Sequence, residues 1–279
     1  MTPPGSVYDA AASGGGRAAG AEGAPAPAHR LIAIGPGAPP ELLALSPAIA
    51  EAVAQSVGAG EAPPTVVIRR QAPYALLGPK DRRLPRLQAG VDVLRRAGLP
   101  VYERIAGGTV VILDEGCLSF AVSEPCRDFT AVHRNFDRLT EGVRRGLRRL
   151  GVEAEFGEAP GSFCPGPYDL LAGGRKIAGI AQAMRRGFAM VSGMLIVSQD
   201  PVYVTNLLNE FYAAAGGTPD LVPDHVVTLS DLVGRRLGLD EVEDALKAGF
   251  AEVHPYVPAL PTEAELERAR RLAAERRLA

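Results

Sequence analysis

The sequence predicts an α+β domain: a mixed, mainly antiparallel sheet flanked by helices. Three observations carry this expectation. Short β-branched and apolar runs are broken by Gly-Gly and Gly-Pro steps, the mark of hairpins. Segments with helical apolar spacing stand between groups of those runs rather than alternating with them one for one. No GxGxxG or Walker loop joins a strand to a helix, which disfavours a doubly wound parallel fold.

Taken in order, residues 1–28 are mostly Gly, Ala, Pro and Ser and read as a disordered tail, without the apolar run of a signal peptide. Order is expected from about Leu31. Pro40 to Val57 has helical spacing, with a second helix starting at Pro47. Thr65 to Arg70 reads as a strand, followed by a loop through Pro73, Gly78 and Pro79. Leu84, Leu87, Val91 and Leu94 mark one face of a helix that Gly98 would cap. Val101–Ile105, Thr109–Leu113 and Cys117–Val122 read as strands joined by hairpins at Gly107-Gly108 and Glu115-Gly116.

Phe136, Leu139, Val143 and Leu147 then define a long amphipathic helix. Its arginines, Arg144 to Arg149, read first as a solvated face and only second as a docking patch. Val152–Phe156, Tyr168–Ala172, Lys176–Met184 and Phe188–Val197 are expected strands, with a hairpin at Gly173-Gly174. Helical patterns return from Pro201, notably over Asp240–Val253. Thr262 and Glu265 have capping-box spacing and open a charged C-terminal helix. The expected organisation is a tail over 1–28, a catalytic domain over 29–257 and a C-terminal helix over 258–279.

Composition narrows the function. A formal net charge of -2, no Trp and 8 Phe argue against a nucleic-acid surface or an anionic membrane. No apolar run reaches membrane-spanning length. Three cysteines without a CxxC, and four dispersed histidines, predict no metal and reduced thiols, as in the cytoplasm.

Three places carry candidate chemistry. Cys164 sits in Gly161-Ser-Phe-Cys-Pro-Gly-Pro167, a shaped loop of the kind that displays functional groups. Lys176 follows a Gly-Gly turn and leads into an apolar strand, with Gly179 leaving room for a ligand. A lysine near a thiol raises its thiolate fraction and stabilises an acyl oxyanion, so Cys164 and Lys176 suffice for thioester chemistry. Arg104-Ile-Ala-Gly-Gly-Thr109 makes either a hairpin or a groove where a substrate lies against bare backbone. Cys117 and Cys126 read as packing residues.

These segments resemble the biotin/lipoate protein ligase and lipoyl/octanoyl transferase family from about Thr65 to Val253. The likeness rests on Asp81-Arg-Arg-Leu-Pro85, Ala106-Gly-Gly-Thr-Val-Val-Ile-Leu-Asp-Glu-Gly116, Gly161-Ser-Phe-Cys-Pro-Gly-Pro-Tyr-Asp169 and Gly174-Arg-Lys-Ile-Ala-Gly-Ile-Ala-Gln182. Cys followed by Pro-Gly-x-Tyr-Asp is similar to the amidotransferase branch. The resemblance implies a biotin/lipoate ligase catalytic-domain fold. It implies that Cys164 carries an acyl thioester and that Lys176 activates it. It also implies substrate binding by Arg104, Gly107, Gly108, Asp114, Tyr168, Asp169, Gly179 and Gln182. The implied reaction moves an octanoyl or lipoyl chain from a lysine of glycine-cleavage H protein to E2 lipoyl domains, without a cofactor. Two alternatives stay open: acyl carrier protein as donor, and an ATP-dependent lipoate ligase. Against the ligase stand Ile105, Thr109, Leu113 and Cys117, which replace the Arg, Gly, His and Asn of its usual motifs.

Overall fold

The protein is described by a computed structural model, covering residues 29–35, 38–185, 187–218 and 220–278. The expected tail over 1–28 lies outside these residues. In chain order the strands are β1 (His29–Ile34), β2 (Thr65–Arg69), β3 (Tyr74–Leu77), β4 (Val101–Glu103), β5 (Val111–Leu113), β6 (Cys117–Cys126), β7 (Glu155–Gly157), β8 (Asp169–Ala172), β9 (Arg175–Arg185), β10 (Gly187–Ile196) and β11 (Tyr256–Ala259). The helices are α1 (Pro40–Ala44), α2 (Ser46–Ala59), α3 (Leu87–Arg96), α4 (Val132–Arg149), α5 (Pro201–Ala215), α6 (Leu229–Leu232), α7 (Leu239–Ala251) and α8 (Glu263–Arg276).

A large sheet runs in the order β11-β1-β2-β6-β10-β9-β8-β7. Its β11–β1 and β1–β2 pairings are parallel and the rest antiparallel, so the α+β, mainly antiparallel expectation holds. Alternation along the central strands divides its two faces. Leu118, Phe120 and Val122 of β6 pack with Phe136, Leu139 and Val143 of α4 and Leu246 and Phe250 of α7. Ala121 of β6, Val67 of β2 and Met190 of β10 face α2 and α8. A second sheet, β4-β3-β5, closes over that face and packs on α3 and α5 through Leu76, Leu94, Phe211 and Ile196.

Gly173 and Gly174 adopt φ of 56° and 74° and close the β8–β9 hairpin as expected, a turn that needs left-handed backbone at both positions. The capping box at Thr262 and Glu265 forms as well. Glu265 is buried and takes a fork from Arg30 at 3.1 and 2.5 Å, tying α8 to β1.

The expected hairpins between residues 101 and 122 do not form. β4 and β5 both flank β3, β4 in parallel and β5 antiparallel, while β6 belongs to the large sheet. Tyr74–Leu77, expected as loop, is therefore the middle strand of the small sheet; four residues were too short a run to show a period. The Gly107-Gly108 break becomes a crossing loop beneath it, and Glu115-Gly116 passes the chain from one sheet to the other. β11 pairs with β1 through backbone contacts that its sequence, Tyr-Val-Pro-Ala, signals weakly.

Candidate functional site

A cavity of about 390 Å³ lies between the two sheets. Its floor is the large-sheet face carrying Ser119, Gly179, Ala181, Met190 and Met194, and its mouth is formed by the 104–108 crossing loop and the 163–169 loop. Arg104, Gly107, Gly108, Cys164, Tyr168, Asp169, Lys176, Gly179 and Gln182 all line it. The tenth expected site residue, Asp114, does not. Its Oδ1 accepts from the Gly116 amide at 2.8 Å and shapes the step between the sheets.

The cysteine loop is held from several sides. Phe163 is buried against the small sheet's core. The Gly161 carbonyl accepts from the Val222 amide at 2.7 Å, and the Lys176 carbonyl accepts from the Val227 amide at 3.0 Å, so the 222–227 segment braces both the loop and β9. Cys164 itself has φ of 49° and, among the described residues, no other non-glycine has positive φ. An L-residue there costs about 1 kcal/mol, a strain the surrounding bonds impose.

The partly exposed thiol of Cys164 accepts from Arg104 Nη2 at 3.3 Å and from the Thr109 amide at 3.2 Å. Burial pushes its pKa up. The Arg104 and Lys176 cations and the Thr109 amide outweigh that, and the thiol ends below its ordinary value. Gly108 has φ of 102°, and a Cβ there would stand 2.6 Å from the sulfur and 2.9 Å from Arg104 Nη2. The glycine is what lets the crossing loop pass over the thiol.

Lys176 is fully buried. Its ammonium donates to the carbonyls of Phe163 at 2.9 Å and Cys164 at 2.8 Å, and pairs with Asp169 Oδ2 at 2.8 Å. These use all three of its N–H groups. It thus acts on the thiol through its charge and by fixing the loop, not by a direct bond to sulfur. Asp169 also accepts from Gly166 N at 2.9 Å and Ile180 N at 3.2 Å. Its pKa is raised by desolvation, against the pull of Lys176. Tyr168 stacks on Phe136 at 3.9 Å and its hydroxyl bonds His133 at the cavity rim.

Sequence reasoning quoted Asp81 without assigning it a role. The structure buries it beneath the crossing loop, where its carboxylate accepts from Gly78 N at 2.9 Å and from the Tyr212 hydroxyl at 3.5 Å. Desolvation raises its pKa to about 6. The signal was a carboxylate three residues after a glycine, a spacing that turns share.

The histidines are less dispersed than the sequence suggests. His29 and His254 stack at 4.2 Å, with Glu124 3.5 Å from His29. Their ring planes differ by 11°, one ligand atom from each of His29, Glu124 and His254 lies within 4.8 Å of the others, and Arg138 also pairs with Glu124. The arginines of α4 are engaged by Glu141 and Glu252, in line with a solvated face.

The large mixed sheet, with a smaller one closing a cavity over it, is a lipoate-ligase type of catalytic fold. A crystal structure of lipoate-protein ligase A bound with ATP superposes with a TM-score of 0.68 at 26% identity, covering 89% of this chain and 95% of that one. The chain matches the Lipoyl protein ligase A/B catalytic domain over residues 44–251 and belongs to that family. It is 35% identical over 231 residues to an octanoyl-[GcvH]:protein N-octanoyltransferase of Bacillus velezensis, covering 78% of this chain and 80% of the relative. It is 31% identical over 199 residues to a lipoyl-[GcvH]:protein N-lipoyltransferase of Listeria monocytogenes, covering 68% and 71%. Among the described residues no helix is long and apolar enough to cross a membrane.

Proposed function

We propose that the protein is an acyl amidotransferase that moves an octanoyl or lipoyl chain from a lysine of glycine-cleavage H protein to a lysine of an E2 lipoyl domain. The observation that carries this reading is the Cys164 thiol, held by Arg104 and the Thr109 amide at the mouth of an apolar cavity. The names of the relatives support the choice of carrier. Three free cysteines fit a reducing, cytoplasmic setting.

In the first step the Cys164 sulfur attacks the amide carbon of the donor. The C–N bond breaks, a C–S bond forms, and the proton lost by the thiol ends on the departing lysine amine. Arg104 and the Thr109 amide favour the thiolate that attacks, and the Lys176 charge behind the loop adds to them. In the second step a lysine amine of the acceptor attacks the thioester, C–S breaks, and the proton returns to sulfur. Both steps exchange one acyl bond for another, so ATP is not consumed. Gly107 and Gly108 leave the backbone bare at the mouth, and a Cβ at Gly107 would meet nothing within 4 Å, which suits the approach of a carrier lysine.

The test is transfer from octanoylated H protein to an isolated E2 lipoyl domain in the absence of ATP. The wild type should transfer and Cys164→Ala should not. Equal transfer by both would remove the covalent role. Transfer from octanoyl carrier protein but not from H protein would move the donor assignment to that alternative.

A further inference from the structure

We infer that His29, Glu124 and His254 form a structural site for one divalent transition-metal ion, Zn²⁺ by the chemistry of the donors, on the face of the large sheet opposite the acyl cavity.

Strand register brings these three residues together from distant parts of the chain. Arg30 of β1 and Ser123 of β6 both pair with Thr65, the first residue of β2. His29 and Glu124 lie one step further along, so their side chains meet past the end of β2, with His29 Nε2 3.5 Å from Glu124 Oε1. His254 arrives from the turn between α7 and β11. The His29 amide donates to the carbonyl of the next residue, Pro255, at 2.9 Å, which holds the two rings against each other. Glu124 shares its face of β6 with Phe120 and Val122, which pack on α4, whereas Ser119 on the other face lines the cavity.

The donors define the ion. Two imidazoles and a carboxylate suit zinc-like cations, whereas Mg²⁺ and Ca²⁺ take oxygen sets. Zinc bonds of about 2.0–2.2 Å in a tetrahedron place ligand atoms roughly 3.4 Å apart, and three protein ligands leave the fourth position to water. His29 and Glu124 already stand at that separation. Among the described residues the His254 ring has no hydrogen-bond partner, so it gives up only its stack on His29 when it tilts a nitrogen toward the ion. The two oxygens of Glu124 are divided: Arg138 of α4 takes Oε2, and Oε1 faces His29. A carboxylate anchored in this way by a second group is oriented in advance for a metal. The side chains of His29 and Glu124 are 13% and 12% exposed, which shields the ion from most competing water. An ion here would join the start of β1, the end of β6 and the turn into β11. It would clip the sheet at the edge strand whose own sequence signals pairing weakly.

The experiment takes the full-length, tag-free protein, strips it with EDTA, removes the chelator and titrates ZnCl₂ at neutral pH. Bound metal is counted by mass spectrometry after gel filtration, and the thermal midpoint is recorded at each concentration. The wild type should retain one Zn²⁺ per chain, with a midpoint that climbs with free zinc as for any ligand that binds only the folded state. His254→Gln and Glu124→Gln should each weaken binding by at least roughly ten-fold. Cys164→Ser should bind zinc as the wild type does, and bound Co²⁺ should lack the intense near-ultraviolet band of a thiolate ligand. Midpoints in EDTA report whether each variant is folded without metal. Loss of zinc from the wild type on gel filtration with a midpoint indifferent to zinc, a result that needs no variant, overturns the inference. Undiminished affinity in His254→Gln, or loss of the ion in Cys164→Ser, overturns it as well, because the ion then sits elsewhere.

Discussion

Replacing Lys176 by Met keeps most of the side chain's length and removes its charge. The structure says what is left behind. The carbonyls of Phe163 and Cys164 lose their donor, and Asp169, with a side chain 2% exposed, keeps only the amides of Gly166 and Ile180. Removing one partner of a fully buried pair costs about 3–5 kcal/mol, because a charge stays buried without compensation. The double variant Lys176→Met with Asp169→Asn removes both charges but keeps only one of the two amide contacts, because the Gly166 and Ile180 amides bond different oxygens, so it should recover part of that loss. Urea unfolding reads this as a fall in midpoint at constant slope. The sign with pH is also fixed. Asp169 has its folded pKa raised by desolvation, and losing Lys176 raises it further. A raised carboxyl is best tolerated when protonated, so the deficit of Lys176→Met should shrink as pH falls. A loss below about 1 kcal/mol, or additive effects in the double variant, would refute the claim that this lysine is a structural clamp behind the thiol.

Three further outcomes follow from the same geometry. Gly108→Ala places a Cβ 2.6 Å from the Cys164 sulfur on backbone with φ of 102°; iodoacetamide alkylation of Cys164 should slow roughly ten-fold while the circular dichroism spectrum is kept. Arg104→Met removes the larger of the two cationic influences on the thiol, so the midpoint of the alkylation-versus-pH curve should move up and the rate at neutral pH should fall roughly ten-fold. Asp81, raised from 3.8 to about 6, favours the folded state when protonated; that contribution is full below pH 3.8 and lost as pH rises through 6. Relative to Asp81→Asn, the wild type should lose about 2 kcal/mol of stability between pH 4 and 7, read from paired unfolding curves.

Local signals in the chain were legible where they act locally. The Gly173-Gly174 hairpin, the Thr262–Glu265 capping box and the face of α4 each depend on residues within one turn or one hairpin of each other. The cysteine loop was legible for the same reason, since glycines and prolines flank Cys164 directly. What could not be read was pairing across distance. β4 and β5 look like a hairpin because they are neighbours in sequence, yet β3 comes between them, supported by a core formed with α3 and α5. The meeting of His29 with His254, and of Asp81 with Tyr212, depends on the same long-range arrangement. The sequence reads Lys176 as raising the thiolate fraction of Cys164; the three acceptors around its ammonium show that its charge acts from behind the loop, which it also holds. Thr109 could not be foreseen as a donor, because it is the backbone amide and not the side chain that meets the sulfur.

The central claim is that Cys164 carries the acyl group. Intact-protein mass spectrometry of the purified protein mixed with octanoylated H protein, without ATP, tests it most directly. A gain of one octanoyl group, absent in Cys164→Ser and removed by hydroxylamine, is the predicted result. An unmodified mass while octanoyl still reaches an E2 lipoyl domain would contradict it.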